Sequence, residues 1–545
     1  MSKRLTILFI PLLLFVLLLL RTAWITDDAM ITFRSVLNLT HGFGATWNVG
    51  ERVQAYTHPL WFLLLSLAYF VTRDILYTSL YLSIGLVALS VGLLVSRVAH
   101  SLPSALLALS ILGCSKAFIE YSTSGLENPL SLLLLAVLFA LLLSLERSRE
   151  PTSAVARTGA EPMPAAPTRR QLVAVFLVGA LIATNRLDLS LLVLPPILAT
   201  TLGSDRRSRI AGAALLGALP LLAWLSFSLV YYGYLVPNTA YAKLAAGVDL
   251  RLLLWDGLAY FVDSFQRDPL TLIAVGAGLG FAAHRPSRLT LGAAAGILLY
   301  LLYILWIGGD FMSGRFFAAP LFLSVCVLAR RDFGPKTAGA GIALAFVLCV
   351  SSDTPVISSP NNFTHPEISK TGVADERGFY YQSFGLRSIH SQLPKLAARV
   401  ATWQSTGERQ VLRGHAIGFQ GLNVGPDAHI VDVLGLGDPL LSHLPQGYGN
   451  EWRVGHHQRK VPRGYLESIR TGRNQISNRK IASLYDQVRL VTTGQLWSWK
   501  RLRAIVYMNT LAYRSVTEGY EDLDERDVID FGSQVHVPEV RRETN

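Results

Sequence analysis

Two adjacent carboxylates, Asp27 and Asp28, follow an almost purely apolar run from Leu5 to Leu20. They therefore lie where a first membrane helix is expected to meet water. Ionisable side chains are costly to place beside a bilayer, so such a pair is a functional-site hypothesis. A carboxylate there can accept the proton of a reacting hydroxyl group, and crowding or burial of the pair raises one pKa towards neutral pH. We interpret Asp27 and Asp28 as candidate catalytic residues.

Other ionisable residues occur beside small or helix-breaking residues at the edges of apolar stretches. The carboxylates of this kind are Glu127, Asp188 and Asp310, and the bases are Arg34, Arg186, Lys243 and Arg315. Such cations can stabilise negative charge that develops on a phosphate leaving group, arginine as a planar fork and lysine as a point charge. A divalent cation bound by Asp27, Asp28 or Asp310 is the alternative way to stabilise that charge, and no other cofactor is predicted.

The composition indicates the class of protein that must position these residues. Hydrophobic residues make up 51% of the 545-residue chain and charged residues 16%, and the mean hydropathy is +0.38. These values predict a polytopic membrane protein. The net charge of +12 comes from basic residues clustered between apolar segments. There they set topology and meet lipid headgroups, so the lipid bilayer is the expected partner and nucleic acid is not.

The basic loops predict the topology, because positively charged loops stay in the cytoplasm. Eleven crossings of the inner membrane are predicted. They place the N-terminus on the cytoplasmic side and the C-terminal tail outside the cytoplasm. The segments are 5–24, 76–97, 103–121, 127–145, 171–184, 187–204, 210–232, 269–283, 289–307, 316–329 and 336–351. Residues 59–72 are too few for a span, so we expect an interfacial or re-entrant helix there.

The expected fold is an all-α polytopic membrane bundle of about 11 transmembrane helices plus interfacial helices, with a C-terminal external α/β domain. The membrane domain covers residues 1–351, and the low-complexity segment 146–170 is predicted to be a disordered cytoplasmic linker. The external domain covers residues 352–545. Its predicted strands are Gln410–Leu412, His429–Val433 and Arg503–Met508.

A family resemblance follows from these motifs. The segment DDAMITFRSVLNLTHGFGATWNVGERVQAYTHPLW (27–61) resembles the first-loop signature of GT-C glycosyltransferases and is similar to the terminal β-(1→2) arabinofuranosyltransferase family. The resemblance continues through YSTSGLENPL (121–130), TNRLD (184–188), VPNTAYAK (236–243), GGDFMSGRF (308–316), DVLGLGDPLLSHLP (432–445) and RVGHHQRKVPRGYL (453–466). Two departures are His58, where asparagine is expected, and TNRLD, which is looser than the usual Thr-Arg-Pro-Asp/Glu pattern.

The resemblance implies a membrane pentosyltransferase. It would move D-arabinofuranose from a polyprenyl-phosphate donor to a hydroxyl of an envelope glycan or glycoprotein outside the cytoplasm. By position it makes Asp27 or Asp28 the catalytic base, with Asp27 preferred and Asp28 as the neighbour that orients it. Glu127, Asp188 and Asp310 become cavity carboxylates, and Arg186, Lys243 and Arg315 become ligands of the donor phosphate. Tyr56 and His58 could stack on a sugar, although aromatic side chains at membrane interfaces also act as anchors.

Two alternatives remain open from the sequence. The same fold could transfer mannose or another hexose from a polyprenyl phosphate to a protein or lipid. A transporter of a lipid-linked glycan is the alternative from another class of protein. Transporters place charges near the bilayer midplane, whereas these charges lie at the predicted external ends of the apolar segments, which favours an enzyme.

Overall fold

A computed structural model describes residues 3–148, 167–202, 207–244, 247–352, 354–357, 369, 371–389, 394–447, 454–510, 513–517 and 520. Helices predominate. The first eight are α1 (Lys3–Thr22), α2 (Asp27–Thr40), α3 (Pro59–Thr72), α4 (Ile75–Leu93), α5 (Leu102–Cys114), α6 (Lys116–Tyr121), α7 (Asn128–Arg147) and α8 (Arg169–Asn185). The next nine are α9 (Ser190–Thr201), α10 (Arg207–Gly217), α11 (Leu219–Tyr231), α12 (Asn238–Leu244), α13 (Leu250–Arg267), α14 (Pro269–His284), α15 (Arg288–Trp306), α16 (Ala318–Leu328) and α17 (Pro335–Val350).

The C-terminal region contains shorter elements. Its helices are α18 (Glu376–Phe384), α19 (Pro394–Thr402), α20 (Ile417–Val424), α21 (Tyr465–Thr471), α22 (Arg479–Thr493), α23 (Trp499–Asn509) and α24 (Arg514–Thr517), and its strands are β1 (Gln410–Gly414) and β2 (Ala428–Asp432). The two strands are parallel, with Gln410 opposite Ala428 and Gly414 opposite Asp432, and α20 connects them. Two of the three predicted strand positions are confirmed. The third is wrong, because Arg503–Met508 lies inside α23.

The apolar helices support the predicted membrane character. Among the described residues, three helices are long and apolar enough to span a bilayer, namely Ile75–Val98, Asn128–Arg147 and Arg288–Trp306. The pair α10 and α11 passes the same test jointly, but its two parts are bent by 49°. The remaining predicted segments are helical but shorter, so the count of about eleven crossings is not confirmed. Most of the predicted linker, residues 149–166, lies outside the described residues.

Close backbone contact between α9 and α15 fixes one wall of the site. At Gly296 of α15, an added Cβ atom would lie 2.1 Å from the carbonyl oxygen of Leu192. Only glycine allows this approach. The contact brings the Tyr300 hydroxyl within 2.9 Å of the carboxylate of Asp188, to which it donates a hydrogen bond. Gly296 therefore lets the two helices approach closely enough for Tyr300 of α15 to reach Asp188 just before α9.

The C-terminal region packs directly on α2 and on the loop that follows it. The indole Nε1 of Trp403 donates to Asn38 Oδ1 at 3.0 Å. Asn48 donates to the carbonyl of Ile430 and accepts from its N–H, both at 3.1 Å. These contacts hold strand β2 against the segment 38–48. The predicted domain boundary near Ser352 stays a prediction.

Candidate active site

A cavity of about 310 Å³ lies where helices α2 and α12 meet the C-terminal region. Asp27, Asp28 and Lys243 line it from the N-terminal half of the chain. The opposite wall includes His415 and His456. The acidic pair and one predicted phosphate ligand therefore share a single cavity, although about 210 residues separate them in sequence.

Asp27 holds the C-terminal region in place. It is the first residue of α2, and its carboxylate accepts the backbone N–H groups of Gly418 at 3.2 Å and Phe419 at 2.6 Å. These donors belong to the first turn of α20, where N–H groups lack partners within the helix. Burial raises the pKa of Asp27 to about 6, against the lowering effect of these hydrogen bonds.

Asp28 points towards the cations. Its Oδ2 lies 4.0 Å from Nη1 of Arg315, and 26% of its side chain is exposed to the cavity. Burial raises the pKa of Asp28, while the positive charges of Lys243 and Arg315 lower it. Among the described residues, no backbone N–H donates to Asp28, in contrast to Asp27. The oxygens of Asp28 are therefore better placed to accept a substrate proton.

Arg315 joins three carboxylates. Its guanidinium lies 4.0 Å from Asp28, 3.5 Å from Asp310 and 3.3 Å from Glu127. Arg315 follows Gly314, whose positive φ of 74° turns the chain immediately before it. Because the guanidinium is 92% buried, these charges interact with little screening by water. Arg315 is therefore a fixed centre of the site rather than a mobile surface charge.

The ion-pair network continues from Glu127 to α9. Arg186 Nη1 lies 2.9 Å from Glu127, and its Nε and Nη2 contact both oxygens of Asp188 at 2.9 and 2.6 Å. The Arg186–Asp188 pair is bidentate, which is a strong and directional arrangement. His58 Nδ1 lies 3.1 Å from the other oxygen of Glu127. Seven of the predicted residues thus form one connected cluster, namely Asp28, His58, Glu127, Arg186, Asp188, Asp310 and Arg315.

Lys243 differs from the two arginines of the cluster. Its side chain is exposed, and within the described part of the chain no carboxylate lies within ion-pair distance of its ammonium. Its helix, α12, is held by Asn238, whose amide donates to the carbonyls of Gly435, Leu436 and Asp438 at 2.8–3.1 Å. Lys243 therefore places a positive charge at the cavity that no described carboxylate neutralises.

Besides Asp27 and Lys243, two further predicted residues, Arg34 and Tyr56, lie outside this cluster. Arg34 is fully buried, and its guanidinium donates to the carbonyls of Trp47, Gly421, Gly425 and Ala428. These contacts join α2 to the C-terminal region.

Tyr56 is also buried. Its hydroxyl lies 2.7 Å from that of Tyr232, and its ring stacks on Phe62 at 4.2 Å. Among the described contacts, neither Arg34 nor Tyr56 reaches the carboxylates around Arg315. Both instead fasten neighbouring parts of the chain.

Helix α18 contributes cavity residues that sequence reasoning missed. Glu376 and Tyr380 line the cavity, and the helix is fixed by Asp375, whose carboxylate caps it and lies 2.9 Å from Lys116 Nζ. His415 and Gln458 were also missed. His415 follows β1 directly, and the carboxyl end of a parallel strand was the signal that could have identified it.

The predicted metal ligands do not converge on one point. Asp28 and Asp310 both face Arg315, whereas Asp27 accepts backbone N–H groups. Within the described ranges, no group of three or more His, Cys, Asp or Glu side chains is arranged to hold a metal ion. The donor set therefore does not fit a divalent cation, and a cation already lies between two of the candidate ligands.

Comparisons with known proteins bear on this arrangement. No family model matches the chain. The chain is 27% identical to a terminal β-(1→2)-arabinofuranosyltransferase from Mycobacterium tuberculosis, with 81% of each chain covered. It is 29% identical to a protein of the same name from Corynebacterium glutamicum, with 76% of this chain and 62% of the relative covered. The predicted resemblance is confirmed, and so is the predicted enzyme class, a glycosyltransferase.

One solved structure is also similar. It is ArnT from Cupriavidus metallidurans bound to undecaprenyl phosphate, with a TM-score of 0.47 and 14% sequence identity. The match covers 86% of this chain and 88% of ArnT.

Proposed function

We propose that the protein transfers D-arabinofuranose from a polyprenyl-phosphate donor to a hydroxyl of an envelope glycan or glycoprotein. One observation carries the proposal. The carboxylate of Asp28 is exposed to the cavity, beside Arg315 and across from Lys243, which forms no ion pair with any of the described residues. A base next to cations is what glycosyl transfer from a sugar phosphate requires. The names of the two relatives support arabinofuranose as the sugar.

In the proposed reaction, a bond forms between the acceptor hydroxyl oxygen and C1 of the donor sugar. The bond between C1 and the phosphate oxygen breaks, and polyprenyl phosphate leaves with the bonding electrons. Asp28 takes the hydroxyl proton. Lys243 binds the phosphate as negative charge grows on it, because the exposed ammonium forms no ion pair within the described part of the chain. Arg315 holds Asp28 in place through the network of Glu127 and Asp310.

The acceptor enters, in this proposal, from the side of the C-terminal region. Glu376, His415 and Gln458 line that wall of the cavity and offer hydrogen-bonding groups to sugar hydroxyls. The donor has to keep its polyprenyl chain in the bilayer, so it approaches from the apolar helices. Separate routes would bring the two substrates together at Asp28.

In the proposed orientation the protein lies in the inner membrane with its N-terminus in the cytoplasm. The cavity then opens on the opposite, external side of the membrane. A reporter that is active only outside the cytoplasm should work when fused after Thr72 or after Ser352, and it should be silent when fused at Ala160. Activity at Ala160 would contradict the orientation. Silence at Thr72 would instead mean that α3 crosses the membrane.

The donor assay uses the purified protein in lipid nanodiscs. We expect transfer from a polyprenyl-phosphoryl arabinofuranose and none from a nucleotide sugar. Asp28→Asn should be inactive, whereas the matched control Asp486→Asn, at an exposed position of α22, should transfer like the parent. Transfer from a nucleotide sugar without a lipid intermediate would contradict the proposal. Transfer of mannose from a polyprenyl phosphate would support the proposed reaction type but contradict arabinofuranose as the donor sugar.

A further inference from the structure

Helix α23 carries an exposed apolar face that the proposed reaction does not use. Trp499 is 77% exposed, and Trp497, in the turn before the helix, is 74% exposed. Val506 is 62% exposed. At 100° per residue, Trp499, Arg503 and Val506 fall within an arc of about 60° on one side of the helix. Such a cluster of large apolar side chains on a surface marks an interaction site.

The opposite side of α23 is buried. Arg501, Ala504, Ile505 and Met508 face the protein and are nearly inaccessible to solvent. Ile505 packs beside Gly233, where an added Cβ atom would lie 3.2 Å from its Cγ1. The helix therefore has one fixed face and one outward face, and its outward tryptophans are not needed for its own packing.

The position of α23 relates this face to the membrane. Arg501 donates to the carbonyls of Val230 and Tyr231 at 2.8 and 3.0 Å. Tyr231 is the last residue of α11, an apolar helix that is long enough for a span only together with α10, to which it is bent by 49°. Asn509, at the other end of α23, donates to the carbonyl of Gly233 at 2.7 Å. Residues near both ends of α23 therefore contact the C-terminal end of the apolar helix α11 and the turn that follows it.

The end of α11 has the character of a membrane–water boundary. Phe227 is 41% exposed and stacks on Tyr231 at 5.1 Å, and Trp224 packs on Phe227 at 5.3 Å. Aromatic side chains concentrate at this depth, where their rings meet lipid headgroups. The carbonyl of Tyr231 accepts from Arg501, so this aromatic group lies next to α23.

We infer that the outward face of α23, with Trp497, Trp499 and Val506, inserts into the headgroup region of the bilayer and anchors the C-terminal region there. Lys500 and Arg503 are exposed beside the tryptophans, and their charges suit the phosphates of the lipids. Trp is the residue favoured at this boundary, because its ring is apolar and its N–H can reach polar groups. The partner that matches this combination of tryptophans and positive charges is therefore the lipid surface.

The anchor would keep the cavity wall at a constant height above the bilayer. Residues 454–466 and α22 pack with α23 in one apolar cluster through Val461, Tyr465, Val488 and Ala504. His456 lies in the same segment as Val461 and lines the cavity. Fixing α23 to the headgroups therefore limits the movement of the C-terminal wall relative to a lipid-linked substrate.

The test measures tryptophan fluorescence of the full chain in nanodiscs made of phosphatidylcholine with or without bromine on its acyl chains near the headgroup. Bromine quenches tryptophans that reach it. The emission of Trp497 and Trp499 is obtained as the difference between the parent and the Trp497→Phe/Trp499→Phe variant. We expect brominated lipid to remove most of this difference emission.

The matched control is Trp403→Phe, because Trp403 is fully buried inside the protein. Its difference emission should be the same in both lipids. If the emission of Trp497 and Trp499 is also unchanged, the face does not enter the bilayer and the inference is wrong. The measurement does not involve transfer, so it gives its answer whether or not the proposed function is correct.

Discussion

Asp28 and Arg315 lie 4.0 Å apart, between Oδ2 and Nη1, and this pair connects the cavity to the buried ion-pair network. Arg315 is in turn held by Glu127 and Asp310. Breaking a buried ion pair by removing one partner leaves a charge without compensation. The network therefore fixes the position of Asp28, although Asp28 itself remains accessible to a substrate.

The acidic pair should divide into one catalytic and one structural carboxylate. We expect Asp28→Asn to lower the single-turnover rate by about 10²–10⁴-fold, which is the usual contribution of a general base. Asp27→Asn should cost less activity, since Asp27 contacts backbone N–H groups of α20. Both variants should reach the membrane in normal amounts. Equal rates for Asp28→Asn and the parent would rule out Asp28 as the base.

Stability should depend on pH through Asp27. Its pKa is about 6 when folded and 3.8 ordinarily, so the folded state binds more protons between these values. The contribution of Asp27 to stability is complete below pH 3.8 and is lost as the pH rises through about 6. In Asp27→Asn, the thermal midpoint measured by differential scanning fluorimetry should therefore depend less on pH between about pH 4 and 6 than in the parent. An unchanged slope would mean that Asp27 is not protonated in this range.

Lys243 should control the acid limb of the activity profile. The charge of Lys243 lowers the pKa of Asp28 against the effect of burial. Removing it in Lys243→Met should raise that pKa further, so the ionised base should be lost at a higher pH. We expect the acid limb of kcat/KM to move to higher pH, and the donor KM to rise. The control Lys480→Met, at an exposed position, should leave the profile in place.

Arg34 should contribute to the stability of the fold rather than to binding of the donor. Arg34→Lys replaces a planar fork by a single ammonium, which cannot reach the four carbonyls that Arg34 binds. Each buried acceptor left unpaired costs about 1–3 kcal/mol. We expect a lower thermal midpoint with an unchanged donor KM. The exposed control Arg470→Lys should melt normally, and a raised donor KM with normal melting would identify Arg34 as a substrate ligand.

Gly418 should tolerate no side chain. An added Cβ atom would lie 1.9 Å from the carbonyl oxygen of Asp27, so Gly418→Ala has to push α20 away from α2. Overpacking of this kind costs about 1–3 kcal/mol. Gly339→Ala is the matched control, because open space surrounds that position in α17. Limited proteolysis of both variants in nanodiscs would show whether only Gly418→Ala loosens the C-terminal region.

The sequence by itself determined the membrane class and the residues of the cluster. Hydropathy located the apolar helices, and the polar segments at their edges contained Glu127, Arg186 and Arg315. This worked because an ionisable group is costly beside hydrocarbon, so its presence in such a segment is informative without coordinates. The helix α3 at Pro59–Thr72 was predicted with the bounds that the structure shows.

Only the tertiary structure decided the roles within the acidic pair. Neighbouring residues on a helix point about 100° apart, so Asp27 and Asp28 had to face different surroundings. Which surroundings each one meets depends on α20, about 390 residues away, whose N–H groups reach Asp27.

The misassigned segment Arg503–Met508 has a similar physical reason. Short apolar runs do not distinguish a strand from a helix. Here Ser498 caps the helix by accepting the N–H of Arg501, and the guanidinium of Arg501 reaches the carbonyls at the end of α11. The cap is a local signal for a helix start, whereas the contacts of Arg501 with α11 exist only after the chain has packed; local capping and tertiary packing together decided the helix.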